Sequence, residues 1–182
     1  MMSSTAASNS KPDIGQRLLA ELDTLYRTAH YLTGDPTLAE DIVQEVSLKA
    51  IQGQHTFRPD AAFRPWIFSI LRHTLADYYR RQNVRPATVS LEMDGLELPA
   101  DEPLSHRLFD YVLDEEIEQA LSELPFEMRL AVLLADIEEF SYREIAEILD
   151  WPLGSVMSRL HRGRRKLRQS LLAYARSRGY EL

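Results

Sequence analysis

A strip of like charge runs through "GSVMSRLHRGRRKLR", residues 154–168, which holds six Lys or Arg side chains and no Asp or Glu. On a helical wheel its apolar residues gather on one side. The polar residues on the opposite side are Ser158, His161, Arg162 and Arg165. Since Arg can bind phosphates or the edges of guanine bases, the chemistry this strip predicts is nucleic-acid binding rather than catalysis.

The charge of the chain is divided unevenly, although its overall formal value is −7. The net charge is 0 over residues 1–82, −12 over residues 83–141 and +5 over residues 142–182. The acidic pI of about 5.3 therefore hides a basic C-terminal part. This separation supports a nucleic-acid footprint within the last 41 residues, which the overall pI conceals.

The residues before the basic strip predict a short helix and a turn that would position a basic helix. Ser141 and Glu144 have the spacing of a capping box and precede an apolar helical pattern. The break "DWPLG" follows, in which Asp150 tolerates the left-handed turn conformation. A short helix, a tight turn and a basic helix form the helix-turn-helix arrangement, which we favour over an ordinary solvated surface helix.

Apolar residues elsewhere recur almost entirely with the helical period. They predict helices near residues 14–32, 36–53 and 63–82, and several more from residue 111 to about residue 178. Residues 83–110 lack this period and contain three prolines, so we expect an acidic, flexible linker there. The predicted fold is all-α, with two small helical domains and a disordered tail over residues 1–13.

Composition argues against several classes of function. The chain has no cysteine, no Gly-rich phosphate loop and five histidines scattered over different predicted elements. We therefore expect no catalytic residues, no metal site and no cofactor. No stretch is apolar enough for a signal peptide or a membrane span, which predicts a soluble cytoplasmic protein without membrane insertion.

Two long blocks of the sequence resemble a known family. "LPFEMRLAVLLADIEEFSYREIAEILDWPLGSVMSRLHRGRRKLRQSL" resembles region 4 of bacterial extracytoplasmic-function (ECF, group 4) RNA polymerase sigma factors. "LYRTAHYLTGDPTLAEDIVQEVSLKAI" followed by "FRPWIFSILRHTLADYYRR" resembles their region 2. The resemblance places region 2 at residues 14–82 and region 4 at residues 111–178. The basic strip also resembles the subgroup that responds to thiol-oxidative stress.

The resemblance implies a function and a set of partners. A protein of this kind binds the polymerase core at the clamp helices of the largest subunit and at the flap. It recognises the −35 and −10 promoter elements, promotes DNA melting and starts transcription of a stress regulon. An anti-sigma factor is the expected inhibitor. If the pathway is redox-controlled, the absence of cysteine predicts that sensing lies in that partner.

The resemblance also implies roles for individual residues in region 2. The polymerase-binding segment is matched by Asp41, Gln44 and Glu45, and Leu48 continues their stripe on the helical wheel. The residues expected to handle the −10 element are Phe57, Arg58, Arg72, His73, Tyr78, Arg80 and Arg81. Unpaired bases stack on aromatic rings in a positive groove, whereas Arg80 and Arg81 would grip phosphates. Many relatives have Asn in place of His73, so the −10 preference is expected to differ.

In region 4 the resemblance assigns −35 recognition. Base reading falls to Ser158, His161 and Arg162, while Tyr142, Arg143, Ser155 and Arg165 would contact the DNA backbone. Met157 stands where a basic residue is common in the family.

Two other classes of protein remain open from the sequence. A polymerase-independent transcriptional regulator would share the helix-turn-helix but gives no role to "AEDIVQE" or to the aromatic and basic residues near 72–81. An interaction protein that sequesters a partner helix leaves the basic strip unexplained.

Overall fold

The computed structural model describes residues 14–58, 61–82 and 115–177, and every regular element in these ranges is helical. Six of its α-helices are α1 (Ile14–Thr33), α2 (Pro36–Gln52), α3 (Phe63–Arg81), α4 (Glu115–Ser122), α5 (Phe126–Val132) and α6 (Tyr142–Leu149). The long helix α7 (Leu153–Ser177) ends the described part. Shorter elements are a 3-10 turn at Gln54–Thr56 and a π-helical segment at Leu133–Ile137. The predicted all-α fold is confirmed, whereas the predicted tail and linker lie outside the described residues.

Helices α1, α2 and α3 form the N-terminal domain around a core of leucine and isoleucine side chains. The turn between α1 and α2 uses Gly34 at φ +68°. The Asp35 carboxylate then accepts the backbone N–H groups of Thr37 and Leu38 at 2.9 and 3.2 Å. Because Pro36 occupies the first turn of α2, where no backbone donor is required, this local sequence fixes where α2 begins.

The C-terminal domain is built around α7. The apolar side of this helix is buried, with Val156, Leu160, Leu167 and Leu171 between 0 and 2% exposed. This is the side that the helical wheel predicts. The opposite side is left to carry the polar part of the basic strip.

The segment after α5 departs from regular α-helical hydrogen bonding. The backbone N–H of Glu138 donates to the carbonyl of Leu133 at 3.0 Å, and that of Phe140 donates to Leu134 at 2.9 Å. The first of these bonds has the five-residue spacing of a π-helix, a form found mostly as short bulges, often at functional sites. The segment buries two carboxylates, those of Asp136 and Glu138.

The two domains also pack directly against each other, which the sequence does not predict. The rings of Phe68 in α3 and Phe140 before α6 meet edge to face, with centroids 5.0 Å apart. Tyr79 and Phe126 make a similar contact at 5.4 Å. Arg129 donates from Nη1 to the carbonyl of Leu32 at 3.1 Å. The apolar core is therefore continuous across both domains.

Gly163 provides a test of how closely α7 packs on α5. A Cβ atom at Gly163 would lie 2.9 Å from Cγ2 of the buried Val132, whereas a Cβ at Gly154 would meet nothing within 4 Å. We expect Gly163→Leu to lower the free energy of unfolding by about 2 kcal/mol through overpacking. Gly154→Leu should change it by less than about 0.5 kcal/mol. Urea unfolding followed by circular dichroism measures both, and equal effects would contradict this packing.

Candidate nucleic-acid and polymerase interfaces

Helices α6 and α7 form the predicted helix-turn-helix. The capping box at the start of α6 is confirmed, because the Ser141 N–H donates to Glu144 Oε2 at 2.9 Å and the Glu144 N–H donates to Ser141 Oγ at 3.3 Å. Asp150 ends α6 in the left-handed conformation, with φ 53°. The turn thus places α7 against α6 as a helix-turn-helix requires.

Removing the capping hydroxyl should loosen the start of α6. We expect Ser141→Ala to lower the free energy of unfolding by about 1 kcal/mol, because the Glu144 N–H loses its acceptor. Ser141→Asp, which preserves an N-cap acceptor, should retain most of the stability. Thermal unfolding compares the two variants, and equal losses would rule out the cap as the cause.

A buried ion pair joins α7 to the π-helical segment. The Arg164 guanidinium donates to both carboxylate oxygens of Asp136, at 2.7 and 3.1 Å, and the two side chains are 2% and 0% exposed. Burial alone would lower the pKa of Arg164, but the hydrogen bonds and the charge of Asp136 raise it above its usual range. Arg164 also donates to the Tyr142 hydroxyl at 3.0 Å, so it connects α6 and α7.

A second arginine of the basic strip also stabilises the fold. The Arg159 guanidinium lies 3.8 Å above the centre of the Trp151 ring and 3.5 Å from the Glu127 carboxylate. Burial lowers the pKa of Arg159, an effect that the charge of Glu127 opposes. Two of the six positive charges in the strip are therefore used inside the domain, whereas Arg165 and Lys166 are exposed.

The polar side of α7 is where the sequence predicts DNA contacts. Met157 and Arg165 are exposed, and Ser155, Ser158, His161 and Arg162 are half-buried. Arg162 donates from Nε to the carbonyl of Ser158 at 3.2 Å. These side chains share one side of one helix, while Arg143 is exposed on α6. The Tyr142 hydroxyl already accepts a hydrogen bond from Arg164, so it is partly occupied within the domain.

The predicted polymerase-binding residues form a stripe on α2. Asp41, Gln44 and Leu48 are exposed, and Leu48 is 55% exposed despite being apolar. Ile51, three residues further on, is 51% exposed and extends the stripe. Ile51 is not among the residues predicted from the sequence, although its spacing of three from Leu48 is a visible signal. Glu45 instead pairs with Lys49 at 2.8 Å.

The residues predicted to handle the −10 element are spread along α3 and the loop before it. Phe57 packs on Phe63 and Trp66 with ring centroids 5.6 and 5.1 Å apart, and the Arg17 guanidinium lies 5.6 Å from the Phe57 centroid. Arg58, at the end of the preceding turn, is exposed. The aromatic cluster therefore sits at the beginning of α3.

Further along α3, His73 is exposed and donates from Nδ1 to the carbonyl of Ser69 at 2.7 Å. Arg72 lies beside it, with Nη1 3.4 Å from His73 Nε2. Arg80 and Arg81 are exposed at the end of the helix, while Tyr78 is half-buried. At 1.5 Å per residue, Arg80 lies about 20 Å along α3 from Trp66, so these side chains follow a path rather than surround one pocket.

Within residues 14–58, 61–82 and 115–177, no group of three or more His, Cys, Asp and Glu side chains could hold a metal ion. No helix in these ranges is both long and apolar enough to cross a membrane.

The all-helical fold and its C-terminal helix-turn-helix define a DNA-binding class of protein. Residues 18–85 match the family model for Sigma-70 region 2, and residues 114–167 match that for Sigma-70, region 4. The chain therefore belongs to the sigma-70 family of RNA polymerase sigma factors, which are transcription initiation factors, and its relatives place it among the ECF type.

Two curated relatives illustrate this. The chain is 36% identical over 154 residues to the ECF RNA polymerase sigma factor SigE of Mycolicibacterium smegmatis, covering 84% of this chain and 59% of that protein. It is 32% identical over 150 residues to the RNA polymerase sigma factor YlaC of Bacillus subtilis, covering 82% of this chain and 84% of that protein. The chain thus spans most of one relative and somewhat over half of the other.

Solved structures share the fold. The co-crystal structure of the sigma factor RpoE with the anti-sigma factor NepR from Bartonella quintana contains a chain that is 28% identical, with a TM-score of 0.69, covering 87% of this chain and 96% of that one. A chain from the structure of CnrH with the cytosolic domain of CnrY is 24% identical, with a TM-score of 0.64, covering 93% and 94%. The second likeness concerns the fold alone.

Proposed function

We propose that this protein is an alternative sigma factor that binds the polymerase core and directs it to promoters with its own −10 and −35 sequences. The observation that carries the proposal is that one chain holds both matched regions and keeps two different working surfaces exposed. These are the α2 stripe (Asp41, Gln44, Leu48 and Ile51) and the polar side of α7.

The α2 stripe is the surface for the core. Its exposed apolar residues are flanked by a carboxylate and an amide, so apolar contact and hydrogen bonding are available on the same side of the helix. Protein interfaces commonly combine an apolar centre with polar surroundings. We assign the stripe to the clamp helices of the largest subunit, with region 4 contacting the flap. Glu45 would contact the core either after its ion pair with Lys49 breaks or with that ion pair intact.

The polar side of α7 is the surface for the −35 element. Ser158, His161 and Arg162 would reach base edges in the major groove. Arg143, Ser155 and Arg165, together with Tyr142, would contact phosphates and fix the register. Met157 would add an apolar contact in place of a charge.

The −10 element would follow the path along α3. Phe57 offers an aromatic face for an unpaired base, while Arg58, Arg72, Arg80 and Arg81 supply positive charge along about 20 Å. His73 and Tyr78 lie between these ends. Such a path suits a melted single strand better than a duplex, which is why we assign DNA melting to this domain.

We also assign the regulation of the protein and the compartment in which it acts. Anti-sigma control is supported by the similar sigma factor RpoE of Bartonella quintana, whose solved structure is a complex with the anti-sigma factor NepR. Membership in group 4 rests on the two sequence blocks that resemble regions 2 and 4, and membership in the thiol-oxidative-stress subgroup rests on the sequence of the basic strip. We assign no enzymatic activity to the chain and place its work in the cytoplasm, where bacterial promoters are transcribed.

A binding experiment distinguishes the proposed sigma factor from a transcriptional regulator that needs no polymerase. The double variant Asp41→Asn, Gln44→Ala should lose most of its affinity for core polymerase but keep its affinity for a duplex bound by the wild-type protein. Asp23→Asn, Gln16→Ala changes two exposed residues of α1 in the same way and serves as the control. Tight core binding by both double variants would refute the assigned surface, and absence of core binding by the wild type would favour the regulator.

A further inference from the structure

Two apolar side chains at the start of α7 are exposed, although this helix already has a complete buried side. Leu153 is 39% exposed and Met157 is 43% exposed, whereas Val156 and Leu160 are buried. Leu153 and Met157 are four residues apart, so they are neighbours on the surface of the helix. Packing within the domain does not explain these two residues, which we call the apolar pair.

The apolar pair adjoins the polar side of α7. Ser158 follows Met157 directly, and His161 lies one turn further along the helix. At 3.6 residues per turn, residues four apart are offset by only about 40° around the helix axis. Leu153, Met157 and His161 therefore form a continuous stripe, and a duplex that contacts His161 would also lie against Met157.

Little charge surrounds the apolar pair. Arg159 is the only charged residue from Leu153 to Leu160. Its side chain is 12% exposed, because the guanidinium lies 3.8 Å above the centre of the Trp151 ring and pairs with Glu127. The pair itself carries methyl, methylene and thioether groups, which neither neutralise a phosphate nor donate a hydrogen bond to a base edge. We therefore expect an apolar group opposite the pair.

The position of the pair in the helix-turn-helix identifies that group. The N-terminal residues of the second helix of this motif contact base edges in the major groove. The apolar group that a base pair presents there is the 5-methyl group of thymine, and apolar side chains distinguish thymine by contacting it. Methionine is flexible and polarisable, so its side chain can adjust to such a methyl group.

We propose, on the basis of the function assigned above, that Leu153 and Met157 recognise thymines of the −35 element through their 5-methyl groups. The two residues are about 6 Å apart along the helix axis, and successive bases of one strand are about 3.4 Å apart. The thymines that they contact are therefore no more than about two base pairs apart. Ser158, His161 and Arg162 bind other base edges by hydrogen bonds, so the apolar pair adds a separate source of specificity.

Deoxyuridine tests the proposal, because it differs from thymidine only by the missing 5-methyl group and keeps every hydrogen-bonding group. The full chain bound to core polymerase first selects a −35 sequence from a promoter library. Each thymine of that sequence, on either strand, is then replaced by deoxyuridine, and the affinity of the holoenzyme is measured by competition. At one or two neighbouring positions the wild type should bind about fourfold more weakly, the effect of losing one buried methyl group.

Substitutions in the pair show whether its side chains cause this preference. The double variant Leu153→Ala, Met157→Ala should bind each thymine fragment and its deoxyuridine counterpart equally well, whereas Met157→Leu, which keeps an apolar side chain, should retain the preference. Leu172→Ala is the matched control, because Leu172 is 41% exposed on the same helix but about 22 Å beyond Met157. It should keep the full preference for thymine. Circular dichroism establishes that each variant keeps its helices.

A preference for thymine that the double variant loses and Leu172→Ala keeps would support the proposal. A wild type that is insensitive to deoxyuridine, a selected −35 sequence without thymine, or a double variant as sensitive as the wild type would overturn it and leave the pair to a protein partner. Failure of the proposed function would be seen separately, as no initiation by the wild type on the library. The free protein would then select the duplex, and the same comparison of thymine with deoxyuridine would be made without polymerase.

Discussion

Replacing Arg164 with methionine is expected to lower the free energy of unfolding of the protein by about 3–5 kcal/mol, because the Asp136 carboxylate then remains buried without its charged partner. Both hydrogen bonds of the pair and the link to the Tyr142 hydroxyl disappear together. The variant should also lose duplex binding at temperatures where the wild type binds, since the destabilised domain unfolds at a lower temperature and the hydrogen bond between α7 and Tyr142 of α6 is lost. Urea unfolding followed by circular dichroism measures the stability.

Two further variants separate the loss of a partner from the loss of a charge. Arg165→Met removes a positive charge from the exposed neighbouring position and should change the stability by less than about 0.5 kcal/mol. The double variant Asp136→Leu, Arg164→Met removes both charges and should recover a large part of the loss. Equal stability of Arg164→Met and Arg165→Met would mean that the pair does not stabilise the domain.

Leu48→Arg is expected to weaken binding of the polymerase core at least about thirtyfold, the effect of losing about 2 kcal/mol at a central interface residue. Leu48 is 55% exposed, so the substitution places a charge in the proposed contact without disturbing the core of the domain. The affinity of labelled protein for purified core, measured by fluorescence anisotropy, gives the result directly.

Leu19→Arg is the matched control for this prediction. Leu19 is 69% exposed on α1, so the same chemical change occurs at another exposed apolar residue, outside the α2 stripe. Its core affinity should stay within about twofold of the wild type, as expected for a surface substitution away from the interface. Similar losses in Leu19→Arg and Leu48→Arg would show that the stripe has no special role.

Local patterns in the sequence predict much of this fold. The Ser141 to Glu144 spacing gives the capping box, because the cap depends on residues within one helical turn. Asp150 takes the left-handed conformation expected at the turn. The buried side of α7 also follows from periodicity alone, since a long amphipathic helix has one apolar side to bury.

The sequence does not predict which arginines of the basic strip stabilise the fold and which face solvent. A run of like charges does not show which side chains form buried ion pairs. Arg164 was counted with the basic strip, although it lies four residues after Leu160 and three before Leu167, on the edge of the apolar side. That spacing is a signal that could have found it. Its partner Asp136 is 28 residues away, which no local pattern reveals.

Contacts between the domains were not predictable from the sequence for a related reason. Glu138 and Arg27 are separated by 111 residues, and an alternation of apolar and polar residues says nothing about which domain surface a charged residue meets. The π-helical segment was also missed, because its wider hydrogen bonds leave the apolar pattern of α5 almost unchanged. Both features concern the position of one domain against the other rather than the presence of helices.

The central claim is that this chain directs RNA polymerase to promoters, and transcription in vitro tests it most directly. Purified bacterial core polymerase would be combined with this protein on a library of promoter fragments, with the housekeeping sigma factor as a positive control for the core. We predict initiation that depends on the protein, is lost with Leu48→Arg and selects fragments sharing both a −10 and a −35 sequence. No initiation by a folded, inhibitor-free protein with a core that is active with its housekeeping factor would contradict the account.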